Sequence, residues 1–177
     1  MTDLPRLRAT RLDAVSPWVT VVARDIERAG AIQTFHSIRQ ADYVTLLAVT
    51  RANEVVLVRQ YRPAVERITL ELPGGLVDGK LDPMATVARE LEEETGFRSI
   101  GAPEFLGTLD PDTGRLENRF HCFFSDAVEP VADWHPEPGL ERLLVPKAEF
   151  LEMIRSGAFP TALHIALVGL ALLKGKF

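Results

Sequence analysis

The chain has 177 residues, of which 46% are hydrophobic and 25% charged, a composition typical of a globular protein. At this length the simplest organisation is one domain with a sizeable core. The formal net charge of −5 argues against general nucleic-acid or anionic-membrane binding and leaves room only for a local basic cleft.

Strand patterns occupy the first half of the chain. Residues 18–26 and 32–39 are apolar, β-branched segments that meet near Gly30, which predicts an N-terminal antiparallel hairpin. The runs "YVTLLAVT" and "VVLVRQY" flank the polar "RANE" and predict a second hairpin. The run "RITLEL" then leads into "PGG" at residues 73–75, which is a strong break in regular structure.

Three further strands and three helices are predicted after that break. The strands are "EFLGTL", "NRFHCFF" and "LERLLV", and two of the helices cover residues 146–156 and 160–174. Many strands with three helices in this order predict an α+β sandwich built on a mixed sheet. We expect a single domain over residues 1–177, with N-terminal strands in residues 1–40 and the core in residues 41–177.

The cysteine content and the apolar runs bear on location. The single cysteine, Cys122, lies in the apolar run "HCFF" and is expected to be a buried structural residue. Residues 1–15 contain arginines but no continuous apolar stretch, so we expect no secretory signal. The apolar run of residues 162–173 is too short to cross a bilayer and is expected to form a core helix. A cytoplasmic, reducing location is the expectation.

A third helix is predicted around "RELEEETGF", residues 89–97, which sets four glutamates directly after an arginine. Asp82 followed by Pro83 predicts the start of this helix, with the Asp82 side chain as its cap, and Gly96 predicts its end. Four of its residues fall on one apolar stripe at helical spacing: Met84, Val87, Ala88 and Leu91.

Three of the glutamates are predicted to converge. Glu90, Glu93 and Glu94 are spaced at i, i+3 and i+4, whereas Glu92 points elsewhere. Like charges at this spacing destabilise a helix by about 0.2–0.5 kcal/mol per pair, which Arg89 relieves in part by pairing with Glu93. A hard divalent cation would relieve it further, because Mg²⁺ prefers oxygen ligands. Taken alone, a solvated helix face explains the same pattern.

The stretch "GGLVDGKLDPMATVARELEEETGF" resembles the signature of the Nudix hydrolases, G-x5-E-x7-R-E-U-x-E-E-x-G-U, in which U is a bulky apolar residue. Gly75 takes the place of the first glycine, and Arg89 and Glu90 take the places of the R-E pair. The remaining fixed positions are filled by Leu91, Glu93, Glu94, Gly96 and Phe97. The resemblance extends over most of the chain and is to the ADP-ribose pyrophosphatase branch, which implies an α/β/α sandwich.

One position departs from the signature, because Leu81 stands where the pattern has a glutamate. In the family that glutamate is associated with the arginine and with the loop, so the departure bears on loop rigidity and full activity more than on metal binding. Asp82 is the neighbouring acid able to take over the contact with Arg89.

The resemblance implies hydrolysis of a nucleoside diphosphate linked to another group. Divalent ions, Mg²⁺ or alternatively Mn²⁺, would neutralise the phosphates and activate water. Glu90 and Glu94 would be direct metal ligands, Glu93 a ligand or the base, and the Gly74 carbonyl a further ligand. Arg89 would orient the glutamates without touching the substrate.

The general base has several candidates after the signature, where the branch carries it on a mobile loop. Glu137 and Glu141 lie in "HPEPGLER", and Glu117 lies in "DPDTGRLEN". Gly139 occupies a place where relatives carry an acid. Each of the three glutamates can equally be an ordinary surface carboxylate.

Four residues are candidates for substrate binding. Arg62 in "QYRP" would clamp a phosphate through its bidentate fork, or form a structural ion pair. Trp18 and Phe35 sit where the branch places aromatics that sandwich an adenine, or pack in the core. Glu71 would meet a ribose or a second metal, or be an alternating polar strand residue. The four histidines are expected to be structural or solvated: His36, His121, His135 and His164.

The leading hypothesis is therefore an Mg²⁺-dependent pyrophosphatase that converts ADP-ribose to AMP and ribose 5-phosphate. In that branch N-terminal strands are exchanged between subunits, so a homodimer is expected. The alternatives are hydrolysis of another nucleotide sugar or a dinucleotide, and a non-catalytic Nudix-fold nucleotide sensor, which Leu81 favours. RNA 5′-end processing is disfavoured by the acidic chain.

Overall fold

The structure is a computed structural model that describes residues 4–77, 79 and 82–177. Leu81, the position that departs from the signature, lies outside the described residues. The chain forms two compact units. Unit 1 consists of Met1–Asp42 and Asp110–Arg119, and unit 2 consists of Tyr43–Leu109 and Phe120–Phe177.

Unit 1 contains a three-stranded antiparallel sheet in the order β1-β2-β3. Its strands are β1 Arg6–Ala14, β2 Thr20–Arg28 and β3 Ala31–Arg39. The predicted N-terminal hairpin is confirmed as β2–β3, and its turn has positive φ at Ala29 and Gly30, as a tight primed turn requires.

Strand β1 was not predicted, because "RLRATRLDA" carries charges and lacks an apolar run. It is fully exposed along its length and is held by backbone pairing to β2 and by ion pairs such as Arg11 with Asp25. Cross-strand pairs of opposite charge stabilise such a strand even where there is little to bury.

Unit 2 is built on an eight-stranded mixed sheet. The main path runs β11-β5-β4-β10-β8, with β6 on β5, β7 on β4 and β9 on β10. The β4–β10 pair is parallel and the other pairs are antiparallel, so the predicted mixed sheet is confirmed. The strands are β4 Tyr43–Thr50, β5 Glu54–Arg62, β6 Arg67–Glu71, β7 Gly74–Leu76, β8 Phe97–Ser99, β9 Glu104–Leu109, β10 Phe120–Pro130 and β11 Leu140–Pro146.

Helices cover both faces of this sheet. They are α1 Pro83–Thr95, α2 Lys147–Ser156 and α3 Ala162–Leu173. Alternate residues of β4 divide between two cores: Val44 and Leu46 pack with α1, whereas Leu47 packs with α2 and α3. The expected α/β/α arrangement is therefore present in unit 2, and Cys122 is buried in the second of these cores as predicted. Among the described helices, none has the length and apolar character needed to cross a membrane.

Helix α1 has the predicted ends but not the predicted cap. Pro83 occupies the first turn and Gly96 ends the helix with φ of 64°. Asp82 takes the N-cap position, yet its side chain makes no capping hydrogen bond, so that prediction is wrong. The Asp82 carbonyl instead accepts the Thr86 amide and hydroxyl. On the apolar stripe Val87 and Leu91 are buried and Met84 is half-buried; Ala88, at the edge, is exposed.

Candidate active site

Two glycines let β7 pass between β4 and α1. A Cβ on Gly74 would lie 2.2 Å from the carbonyl oxygen of Val44, and one on Gly75 would lie 2.5 Å from Oε1 of Glu90. Neither distance is sterically allowed for a real side chain. The "PGG" break therefore brings the backbone of β7 directly against the carboxylates of α1.

Glu94 is the carboxylate that faces this backbone. The Gly74 amide donates a 2.9 Å hydrogen bond to its Oε2. Burial raises the pKa of Glu94 to about 7, and the nearby charge of Glu90 raises it further, while the Gly74 amide and Arg62 oppose the rise. Near neutral pH this position thus holds a carboxyl group that a cation would readily ionise.

Glu90 and Glu93 share one arginine. Arg89 pairs with Glu90 at 2.5 Å and with Glu93 one helical turn further on, which confirms the predicted i,i+4 pair. The Glu90 side chain is 15% exposed, whereas that of Glu93 is 47% exposed. Glu92 is exposed on another side of the helix. Glu90 and Glu94 therefore form the buried part of the cluster, and Glu93 lies at its open edge.

Arg62 and Glu71 form a two-pronged ion pair beside Glu94. The Arg62 Nε and Nη2 atoms donate to the two Glu71 oxygens at 2.8 and 2.7 Å. The Thr69 hydroxyl donates to the same carboxylate at 2.6 Å. Burial by itself would raise the pKa of Glu71, but the bonds from Arg62 and Thr69 outweigh it and hold the pKa below its ordinary value. Arg62 therefore forms the ion pair that the sequence offered as one of its two possible roles. Its side chain is still 45% exposed to solvent.

His164 supports the same region from α3. Its Nδ1 accepts a 3.0 Å hydrogen bond from the Leu72 amide, so the neutral ring carries its proton on Nε2. Burial lowers the pKa of His164 to about 4. The sequence predicted a structural or solvated histidine at this position, and His164 is structural. Its partner Leu72 is 92 positions away in the chain and lies two residues before Gly74.

The C-terminal end of α1 is covered by residues that the sequence did not single out. The Trp134 indole donates to the backbone carbonyl of Glu93 at 2.9 Å, and Arg142 Nη1 donates to that of Thr95 at 2.7 Å. The Arg142 guanidinium also lies over the rings of Trp134 and Phe97. The available sequence signal was a large aromatic residue, Trp134, within the loop segment "ADWHPEPG".

The structure separates Glu137 and Glu141, the two base candidates of unit 2 that follow the signature. Glu141 on β11 pairs with Arg59 on β5 at 2.5 Å. The next residue, Arg142, reaches α1, and successive strand side chains face opposite sides, so Glu141 faces away from the α1 glutamates. Glu137 is exposed in the segment that follows Trp134.

Three other candidates belong to unit 1. Trp18 and Phe35 are 66% and 51% exposed, so neither packs in a core. The Glu117 carboxylate accepts hydrogen bonds from Arg24, Ser37 and Arg39, and the bond from Arg24 is the main reason that its pKa is lowered to about 2. Such a strongly paired carboxylate is a poor proton acceptor.

The donor atoms of the cluster suit a hard divalent cation. Glu90 and Glu94 offer carboxylate oxygens, and Gly74 offers a backbone carbonyl, which are the ligand types that Mg²⁺ and Mn²⁺ prefer. Within the described ranges, however, no three acidic, histidine or cysteine side chains are already arranged as a metal site. Arg89 supplies the positive charge beside Glu90 and Glu93 instead. The residues fit the ion by chemistry and by charge.

Comparison with known proteins gives one family and several relatives. The model of the NUDIX domain matches residues 39–162. The CMP-5′-(N-acetyl-N-hydroxy-3-aminopropyl)phosphonate hydrolase of Streptomyces rubellomurinus is 30% identical over 157 residues, 88% of this chain and 76% of that protein. The methanol dehydrogenase activator of Bacillus methanolicus is 42% identical over 51% of this chain and 49% of its own. The ADP-ribose pyrophosphatase of Bacillus subtilis is 43% identical over 30% of this chain and 29% of its own.

Among solved structures, that of an ADP compounds hydrolase matches with a TM-score of 0.84. The match covers 100% of this chain and 99% of that one at 20% sequence identity. At this level of identity the likeness shows a shared fold.

Proposed function

Because the chain belongs to the NUDIX domain family and is a pyrophosphatase of the hydrolase class, we propose that it cleaves the pyrophosphate bond of ADP-ribose, giving AMP and ribose 5-phosphate. One observation carries the proposal. The buried carboxyl of Glu94 lies beside Glu90 and against the Gly74 backbone. Arg62 is near enough for its positive charge to lower the pKa of Glu94. Such an arrangement would place a bound cation next to a side chain that binds an anion, as a metal-dependent attack on a pyrophosphate requires.

Relatives of this chain support the choice of substrate. Proteins named ADP-ribose pyrophosphatase occur among them in Bacillus subtilis and in Saccharomyces cerevisiae, and one named ADP-sugar pyrophosphatase in Mus musculus. Each matches less than half of this chain, so they point to a nucleoside diphosphate sugar as a class, within which ADP-ribose is our proposal.

Glu90, Glu94 and the Gly74 carbonyl would hold the divalent ion, Mg²⁺ or Mn²⁺. When bound, the ion would neutralise phosphate charge and lower the pKa of a water molecule. Glu93, at the open edge of the cluster, would add a ligand or accept a proton. Arg89 would orient Glu90 and Glu93, since it already contacts both.

Arg62 would meet a phosphate of the substrate. Glu71 engages two of its three guanidinium nitrogens, which fixes the plane of the group and leaves the Nη1 side for a phosphate oxygen. Glu71 is then a positioning residue that holds Arg62. We therefore propose this role for Glu71 in place of a contact with a ribose or a second metal.

Glu137 is our choice for the general base. It is exposed and lies three residues after Trp134, which contacts the last turn of α1. Three residues span at most about 10 Å, so Glu137 stays close to that turn. Glu141 faces the other side of the sheet with Arg59 and is the weaker candidate.

A second candidate substrate is a nucleoside monophosphate joined to a phosphonate. The CMP-phosphonate hydrolase of Streptomyces rubellomurinus matches 88% of this chain, a far larger share than the ADP-ribose pyrophosphatases match. The phosphorus-containing linkage poses the same chemical problem, so the same cluster would serve both substrates.

The test is hydrolysis by purified protein with Mg²⁺ across ADP-ribose, GDP-sugars, dinucleotides, nucleoside triphosphates and a CMP-linked phosphonate, with products identified by ion-exchange chromatography. Glu94→Gln is the inactive variant, and Glu92→Gln, at an exposed position of the same helix, is the matched control. We expect ADP-ribose to give AMP and ribose 5-phosphate with the highest kcat/KM, and only Glu94→Gln to abolish it.

Other outcomes would overturn the proposal in distinct ways. Preference for the CMP-linked phosphonate would make the second candidate correct. Binding of nucleotides without any turnover would instead identify a sensor in which Leu81 marks lost activity.

We also propose that the chain works as one functional domain and forms a homodimer through the sheet of unit 1. This sheet and the segment between β1 and β2 expose large apolar side chains that a second subunit would cover: Leu7, Leu12, Trp18, Ile32 and Phe35. Trp18 and Phe35 would then hold the adenine in the assembled dimer. Light scattering at micromolar concentration tests this, and a monomeric, fully active protein would contradict it.

We place the enzyme in the cytoplasm, where its one cysteine stays reduced.

A further inference from the structure

The last turn of α1 carries two of the glutamates on which the proposed function rests. The helix ends at Thr95, so Glu93 and Glu94 are its third-last and second-last residues. The final carbonyl groups of a helix lack intrahelical partners, and terminal turns fray unless other groups satisfy them. What bonds to these carbonyls therefore decides how firmly Glu93 and Glu94 are held.

Groups from the residues after β10 and from β11 satisfy this end of the helix. Trp134 Nε1 donates to the Glu93 carbonyl at 2.9 Å, and Arg142 Nη1 donates to the Thr95 carbonyl at 2.7 Å. The Val131 amide donates to the carbonyl of the capping residue, Gly96, at 2.8 Å. Two side chains and one amide from a distant part of the chain thus act as the C-terminal cap of α1.

Ring packing fixes these two side chains in place. The Arg142 guanidinium lies 4.7 Å from the ring centre of Trp134 and 5.0 Å from that of Phe97. A Cβ on Gly96 would come within 2.4 Å of the Trp134 ring, so the indole lies directly on the helix end. Both side chains are half-buried, which strengthens the cation–π contact relative to a fully exposed one.

We propose that Trp134 and Arg142 are positioning residues that hold the last turn of α1, and with it Glu93 and Glu94, in the geometry that binds the divalent ion. This inference deepens the proposed function, since it concerns the same cluster. Neither residue touches the substrate; they act through the helix backbone. Loss of a group that orients the metal ligands without binding the metal itself commonly weakens metal affinity by about 10- to 100-fold.

Three variants test the two side chains. Trp134→Phe keeps a ring on Gly96 but removes the N–H that donates to Glu93. Arg142→Met removes the donor to Thr95 and the charge over the rings, whereas Arg142→Lys keeps a positive donor and is expected to recover part of the loss. The matched control is Phe177→Leu, which removes another aromatic–cation contact in unit 2, the one with Lys147 at 4.2 Å.

Two readouts are needed, and the first does not depend on a metal. Hydrogen–deuterium exchange followed by mass spectrometry reports opening of the peptide that contains residues 89–97. Calorimetric titration with Mn²⁺, in the absence of substrate, reports the affinity of the cluster. Steady-state kinetics on the best substrate then separates kcat from KM.

We expect Trp134→Phe and Arg142→Met to speed exchange in the last turn of α1 and to weaken Mn²⁺ binding by about 10-fold. In both variants kcat should fall with little change in KM, and Arg142→Lys should lie between Arg142→Met and the wild type. Phe177→Leu should lower the unfolding temperature without changing α1 exchange or Mn²⁺ affinity.

Unchanged exchange at residues 89–97 in both variants would overturn the inference, as would weaker Mn²⁺ binding of the same size in Phe177→Leu. A wild type that binds no Mn²⁺ would sink the metal-dependent part of the proposed function. The exchange experiment would still decide whether Trp134 and Arg142 hold the helix end.

Discussion

The amide of Gly74 donates a 2.9 Å hydrogen bond to Oε2 of Glu94, which joins the first residue of β7 to the last turn of α1. The bond stabilises the ionised carboxyl, but burial acts more strongly and raises the pKa of Glu94 to about 7 from an ordinary 4.5. Without a cation the protein therefore carries a carboxyl group that folding makes harder to ionise.

Replacement of Glu94 by glutamine should stabilise the metal-free protein. A carboxyl whose pKa is raised by folding binds its proton more tightly in the native state, so the unfolding free energy falls as the pH rises from about 4.5 past about 7. Glutamine keeps an oxygen that accepts the Gly74 amide and removes this titration. We expect Glu94→Gln to raise the unfolding free energy at pH 8 by about 1–3 kcal/mol, and much less at pH 5.

The measurement is urea unfolding at both pH values in the presence of a metal chelator. Glu92→Gln, at an exposed position of α1, should show almost no difference between the two pH values. Equal stability of Glu94→Gln and the wild type at pH 8 would show that the carboxyl ionises without penalty.

The two glycines of β7 should fail in different ways when replaced by alanine. In Gly74→Ala the new Cβ meets the Val44 backbone carbonyl at 2.2 Å. Relieving this clash requires the sheet backbone to shift, which costs stability. In Gly75→Ala it meets the end of the Glu90 side chain at 2.5 Å, which can rotate away. We expect Gly74→Ala to lose about 2–4 kcal/mol of stability, and Gly75→Ala to fold normally but lose most of its activity.

Thermal unfolding and initial rates of the two variants check this pair. Gly169→Ala in α3 is the control, because a Cβ there meets nothing within 4 Å. It should leave activity unchanged and stabilise the helix by up to about 1 kcal/mol. Full activity in Gly75→Ala would show that the position of Glu90 is not critical.

The glutamate helix could be predicted because its information is local. Its start, its end and the Arg89–Glu93 pair all depend on residues within a few positions of each other. The mixed sheet followed from apolar runs of strand length. Strand β1 was not predicted, because nothing in its own composition favours a strand over a loop. It is stabilised by pairing with β2, including ion pairs between the two strands.

The contacts that support the site could not be predicted from sequence. Trp134 meets Glu93 across 41 positions, and His164 meets Leu72 across 92 positions. No local pattern encodes such a meeting, because it depends on how strands order themselves in the sheet. The same applies to Glu141, whose direction follows from the contact between its neighbour Arg142 and Thr95.

Arg62 and Glu71 offer a test of whether the ion pair is structural, functional or both. Arg62→Ala leaves a buried carboxylate without its main partner and should cost about 1.5–3 kcal/mol. The double variant Arg62→Ala/Glu71→Ala removes that unpaired charge and should recover much of the stability. If Arg62 clamps a phosphate, the double variant should still show a raised KM or a lowered kcat.

Urea unfolding of Arg62→Ala, Glu71→Ala and the double variant completes a double-mutant cycle for stability. Kinetics on the same samples gives the corresponding cycle for activity. Recovery of both stability and activity in the double variant would mean that the pair serves the fold alone. Loss of activity that persists after stability returns would assign the phosphate contact to Arg62.

His164 should make the protein sensitive to mild acid. Burial lowers its pKa to about 4 from an ordinary 6.5, while the charge of Glu71 raises it and that of Arg62 lowers it. The unfolded state therefore binds a proton at a higher pH than the native state does, and stability is lost as the pH falls from about 6.5 towards 4. Protonation of Nδ1 would also remove the acceptor for the Leu72 amide.

His164→Leu removes the titration and leaves the Leu72 amide without this acceptor. At pH 7.5 we expect it to be less stable than the wild type by about 1–3 kcal/mol, because a buried donor loses its partner. That deficit should shrink as the pH falls from 6.5 towards 4, since only the wild type is then destabilised by acid. Urea unfolding between pH 7.5 and 4.5 measures the difference, with the exposed His135→Gln as control. A deficit that stays constant with pH would mean that His164 titrates equally in the folded and unfolded chain.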